Sequence, residues 1–219
     1  PGGIVTGTFV FGGGTLQAVG GKMRLTGIYD ATLNKITLGG GGLLTAESGR
    51  MNIPIFVSST NNKINGQFLA GHPLRLVDAD SVLDIDVTGG EFGTIFLNGG
   101  QVNVLSEINF LQGGFFTGPG IVNGSTYELI LGSGEVPATT ALQFKGSPMI
   151  SLLNTLVLGN TWGIYNTMRI NGGGQILDVT DGTLAVLAGA QLHLNDCILY
   201  GMKPTSITVA DDDGIIKLQ

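Results

Sequence analysis

"GTLQAVGGKMRL", Gly14 to Leu25, is followed twenty-eight residues later by "GLLTAESGRMNI", Gly42 to Ile53. Aligned without a gap, the two share Gly14/Gly42, Leu16/Leu44, Ala18/Ala46, Gly21/Gly49 and Met23/Met51, with Lys22 replaced by Arg50 and Leu25 by Ile53. The core of the phrase is a Gly followed by two apolar residues two apart. It returns at Leu74/Leu76, Val102/Val104, Leu177/Val179 and Leu192/Leu194. Longer matches link "FLAGHPLRL" (Phe68 to Leu76), "VLAGAQLHL" (Val186 to Leu194) and "FLNGGQVNV" (Phe96 to Val104). A strand-rich phrase recurring every 20–50 residues points to a solenoid or a propeller.

The segments around these phrases read as short strands. "TGTFVFG", "NKITLGG", "SVLDIDVTG", "GTIFLNGG", "TYELILG" and "SITVAD" are rich in Val, Ile, Leu, Thr and Phe and stop at Gly, Asn or Asp. Gly and Asn tolerate positive φ and so suit the corners between such strands. Helical periodicity is nearly absent. "SPMISLLNTLVLG", Ser147 to Gly159, is the one stretch in which a short helix is allowed. Propeller blades need about 40 residues each, usually with an aromatic signature, and the chain has one Trp.

These features predict an all-β chain folded over residues 1–219 as one parallel β-solenoid, a right-handed β-helix being favoured, with a β-sandwich or jelly roll as the alternative. Coils of about 25 residues would stack at about 4.8 Å, so eight or nine of them form a rod about 40 Å long. Equivalent residues recur because each coil must fit the one beneath it. On this reading Leu16, Ala18, Met23 and Leu25 stack over Leu44, Ala46, Met51 and Ile53.

Composition agrees with a folded, frequently turning chain. Charged residues make up 12% and Gly 38 of 219 residues, while hydrophobic residues reach 42%. A disordered chain shows low hydrophobicity and high charge instead. The Gly residues lack the three-residue period of collagen. No apolar run reaches the ~20 residues of a membrane-spanning helix. The net charge is −6, and the ten Lys and Arg form no run along the chain. Neither nucleic acid nor an anionic membrane is therefore an expected partner. The opening "PGGIVTG", with neither Met nor an apolar leader core, is expected of a processed or trimmed product.

Gly-punctuated strands with Asn-rich corners resemble the β-helical stalks of secreted bacterial surface proteins, including autotransporter passengers and haemagglutinin-type adhesins. The resemblance implies an extracellular or cell-surface, non-catalytic structural protein. It is one of texture: the "GGA" and "FxxN" repeats of the chlamydial polymorphic surface proteins do not recur here. A carbohydrate-active β-helix enzyme or a glycan-binding adhesin stalk is the alternative function, and glycan contact the alternative partnership.

Candidate chemistry is sparse. "VDADSVLDIDV" contains Asp78, Asp80, Asp84 and Asp86. Strand alternation puts Asp84 and Asp86 on one outer face, as a solvated acidic strip or as oxygen ligands for Ca²⁺. Asp211, Asp212 and Asp213 read as a corner before a last strand. A carboxylate cluster on a β-helix resembles pectin-degrading hydrolases, whose acid and base are close carboxylates and which also show "GHG" and "RxK". Here His72 stands in "GHP", His193 in "LHL", and "RxK" is missing. Convergence of Asp84, Asp86, Arg75 and His72 would favour an enzyme. Two His without a third ligand do not make a zinc site. Trp162 and Tyr165 are either edge aromatics or sugar-stacking groups. Asn123 to Ser125 is a glycosylation sequon. Gly39 to Gly42 lacks the Lys-Ser/Thr of a phosphate loop. Cys197 reads as a buried small hydrophobe. No catalytic residue, cofactor or metal is expected.

The termini carry the interaction expectation. A solenoid exposes unpaired backbone groups on its outer coils, and such ends usually carry caps. The chain opens in "GGIVTGTFVFGGG" and closes in "DGIIKLQ", both strand-like. Ile4, Val5, Phe9 and Phe11 at one end and Ile215, Ile216 and Leu218 at the other are the expected self-assembly interface. The expected assembly is a head-to-tail homo-oligomer, a contact that does not close and so yields a filament.

Overall fold

The computed structural model describes residues 15–20, 22–25, 35–46, 50–51, 54–67, 69–70, 73–132, 136–138, 140–211 and 213–219. Every strand pairing among them is parallel, and none of them is helical. A sandwich or jelly roll is antiparallel, so the fold is the parallel β-solenoid. The stretch from Ser147 to Gly159 contributes two strands, Met149–Leu152 and Leu156–Leu158, and no helix.

Among the described residues, every coil after the first contributes one strand to each of three faces. The longest sheet, here sheet B, stacks ten strands from Lys22–Leu25 to Ile207–Val209; sheet C stacks nine from Arg50–Met51 to Ile215–Leu218. Ten strands make nine steps, about 43 Å along the axis. The third face is split. Sheet A takes six strands from Thr15–Val19 to Phe116–Thr117, and sheet D four from Val136–Ala138 to Ile198–Tyr200. Across the break the Gly118 N–H donates to the Thr140 hydroxyl at 2.9 Å instead of to a strand partner.

The register differs from the one the repeated phrase predicts. Met23 pairs with Leu44, and Leu25 with Ala46. Leu16 pairs with Ile36, and Ala18 with Leu38. Met51 lies on sheet C opposite Ala70, and Ile53 is outside the described residues. The coil is also shorter than 25 residues: Ile36 pairs with Ile55, Leu142 with Trp162 and Leu184 with Ile207, steps of 19, 20 and 23. The recurring phrase marks a corner. Phe96–Val104 leaves sheet A for sheet B, and Val186–Leu194 leaves sheet B for sheet C. Both close on the same tight turn, with the Gly100 N–H donating to the Leu97 carbonyl (2.7 Å) and the Ala190 N–H to the Leu187 carbonyl (2.9 Å). At another corner Gly66 has φ +90, and a Cβ there would collide with the Ala46 carbonyl oxygen, so only Gly fits.

Strand alternation directs one set of side chains into the prism, where they stack in columns. Ile36, Ile55, Leu74, Ile95 and Phe116 form one, and Val122, Phe144, Ile164 and Val186 another, all at most 1% exposed. Phe110, Phe115, Phe116, Phe144 and Trp162 pack ring on ring beside the break in the third face. Asn62, Ser81 and Ser206 are the buried polar exceptions among the described residues.

Candidate functional site

Outer faces carry polar ladders built by the same register. On sheet B, Asp84 and Asp86 share the outer face, as alternation requires. Asp84 accepts from the Asn103 amide at 2.7 Å, and Asn103 accepts in turn from Asn123 at 3.0 Å. Asp86 accepts from Lys63 at 2.6 Å, with both side chains well exposed, an arrangement worth about 0–1 kcal/mol. Asp78 is a corner residue accepting from the Ser81 hydroxyl at 2.8 Å. Asp80 is exposed on the same corner. Arg75 belongs to sheet A, a different face, and lies over the Phe96 ring at 3.7 Å. Asp84, Asp86 and Arg75 thus do not converge, and His72 is outside the described residues.

The other sequence candidates are structural. Asp211 accepts from the Asp213 N–H at 3.2 Å in the corner before Ile215–Leu218; Asp212 is outside the described residues. Trp162 is fully buried, so it cannot stack on a sugar and is not an edge residue. Tyr165 is exposed with Lys145 over its ring at 5.5 Å. Asn123 sits inside the strand Gly120–Gly124, not in the surface loop of a glycosylation acceptor. Gly40 and Gly41, at φ 56 and 81, form a corner. Cys197 is half-buried, and burial pushes its thiol pKa up, away from nucleophilic character. Among the described residues no three His, Cys, Asp or Glu group closely enough to hold a metal ion, and no helix is long and apolar enough to cross a membrane.

What remains is the C-terminal coil. Ile4, Val5, Phe9 and Phe11 lie outside the described residues, but the opposite end is in view. The strands Ile198–Tyr200, Ile207–Val209 and Ile215–Leu218 each end their sheet, so one edge of each has no strand partner among the described residues. Among the described residues the inward columns end at this coil, where their members are exposed. Leu194 is 2% exposed and its column neighbour Leu218 68%; Val186 is 1% exposed and Val209 39%. Ile216 continues the same inward face, while Ile215 points outward beside Lys217. Ile198, Tyr200 and Met202 add exposed apolar surface that the sequence reading missed. Their stretch reads as a buried strand around Cys197, but Ile198 and Tyr200 take outward positions opposite Ile176 and Asp178, with Leu199 the inward residue between them.

Comparison with protein-family models, with curated proteins and with solved structures returns no match.

Proposed function

We propose that this chain is a non-catalytic structural β-solenoid of an extracellular or cell-surface assembly, whose C-terminal coil stacks head to tail on a second copy. One observation supports the reading: in the coil ending at Gln219 the inward residues Val209, Ile216 and Leu218 are exposed, while their column neighbours one coil back are buried. A further β-coil satisfies both needs of such an end. Its strand edges supply partners for the free N–H and C=O groups, and its inward residues bury the apolar ones. On the second copy the expected docking residues are Ile4, Val5, Phe9 and Phe11. The contact is heterologous, so it propagates into a fibre.

Electron microscopy and sedimentation of the 219-residue chain test this. Fibres or a concentration-dependent ladder of oligomers are expected, lost on Ile216→Asp with circular dichroism unchanged. A monodisperse monomer at tens of micromolar would refute it.

A further inference from the structure

We propose that the outer face of sheet C is a second, lateral docking surface, which binds the same face of another copy running in the opposite direction. The inference does not depend on the head-to-tail reading, since it concerns a side of the rod and not its end.

From the strand Ile108–Phe110 to the strand Ile215–Leu218, this face is mostly uncharged. Outward positions are filled by Asn109, Ile130, Ser151, Asn171 and Asn195 on one row. All the ionisable side chains of this span stand on the adjacent row, and their signs are segregated. Glu128 pairs with Met149, Met149 with Arg169, Arg169 with His193, and His193 with Lys217. Glu107, one residue before its strand, continues the row beyond Glu128. Read along the axis, the row runs acid, acid, Met149, then Arg169, His193 and Lys217.

The row does not neutralise itself. Glu128 and Arg169 stand two strand spacings apart, about 10 Å between backbones, and no ion pair joins their side chains among the described residues. The contrast with the other cations whose side chains are described is sharp: Lys63 pairs with Asp86, while Lys35, Arg75 and Lys145 lie over Phe56, Phe96 and Tyr165. Lys203 donates to the Thr180 carbonyl. Arg169 and Lys217 have no ion pair or ring contact among the described residues. Glu128 is held on the surface by the Ser151 hydroxyl, which donates to its Oε1.

A two-fold axis along the strand direction, passing through Met149, maps the row onto itself with its order reversed. Glu128 of each copy then faces Arg169 of the other, and Glu107 faces His193. This is the self-complementary surface of an isologous contact, and Met149 packs on Met149 at its centre. A parallel neighbour would set like charges opposite and is disfavoured. The sign change also argues against a polyanion as occupant, because Glu128 and Glu107 extend the same strip. The area is modest. A face roughly 30 by 15 Å gives about 450 Å² per copy, about half that of a standard interface. A weak, salt-sensitive dimer in the upper micromolar range is therefore expected.

The test uses Val209→Asp as the parent, which blocks end stacking from sheet B and leaves sheet C untouched. Sedimentation at about 200 µM and low salt should show a monomer–dimer equilibrium that shifts to monomer at high salt. Arg169→Glu and Glu128→Arg, each added to the parent, should be monomeric with unchanged circular dichroism. Mixed one to one, they should associate again, because the side chains at 128 and 169, which face each other across the axis, are once more of opposite sign. A mixture that stays monomeric, or a parent dimer indifferent to salt, would overturn the proposal. So would a parent that stays monomeric but binds a sulfated polysaccharide through Arg169.

Discussion

The indole of Trp162 stacks on the ring of Phe115 with centroids 5.5 Å apart, and the ring of Phe144 tilts against it at 4.8 Å. Trp162 is fully buried, and its Nε1 has no hydrogen-bond partner. Burial supplies a large apolar contribution, while the orphaned N–H costs about 1–3 kcal/mol. Trp162→Ala should therefore destabilise by about 3–5 kcal/mol. Trp162→Phe should cost far less, because the lost ring volume is offset by removal of the unpaired donor. Urea titration separates the two. The chain has one Trp, so native emission should be blue-shifted and shielded from iodide, and unfolding should move it to the red.

Asn62 is the polar clamp of its coil. It is fully buried, accepts from the Gly42 N–H at 3.1 Å and donates to the Ser58 and Ser59 carbonyls at 2.9 and 3.0 Å. It thereby fixes a corner in which Ser59 and Asn61 both hold positive φ, 62 and 61. Asn62→Ala should cost about 1–3 kcal/mol for the groups left unpaired. Asn62→Asp should cost more, because an ionised carboxylate cannot donate and would face two carbonyls. If the order in urea midpoints is reversed, the amide is not the clamp.

His193 makes stability depend on pH. Its pKa is lowered by burial and then by Lys217 and Arg169, which flank it on the row. The folded state therefore binds fewer protons than the unfolded chain, and stability rises with pH. This contribution is complete above the ordinary His value of about 6.5 and is lost as the pH falls below it, toward the lowered folded value. The wild type should melt at a lower temperature at pH 5 than at pH 7.5. His193→Gln should show a smaller difference, which also subtracts the effect of His72.

Head-to-tail stacking predicts that Leu218→Asp, like Ile216→Asp, abolishes long assemblies. Ile130→Ser, on sheet C away from the end, should leave their length unchanged by electron microscopy. Equal shortening by all three would place the contact elsewhere.

The strands and corners were legible in sequence because their causes are local. Alternation in "VLDIDV" sends Leu83, Ile85 and Val87 inward whatever lies above them, and Gly66 is read from its own φ requirement. The absence of helical periodicity, the Gly-bounded runs and the recurring phrase together determined an all-β parallel stack; the coil length, and with it the number of coils, was not legible, since sheet B stacks ten strands. The register was not legible. A column asks only for an apolar side chain of fitting volume, so the backbone register can set Met23 opposite Leu44 and not opposite Met51. The matching phrases therefore mark equivalent corners on different faces and not successive coils. Nor could sequence tell that Trp162 is buried beside Phe115, that Arg75 and Asp84 occupy different sheets, or that Glu128, Arg169 and Lys217 share one row. The ring stack and the charged row link residues more than 40 positions apart, and hydrogen bonding between coils, not any local preference, decides which of them meet.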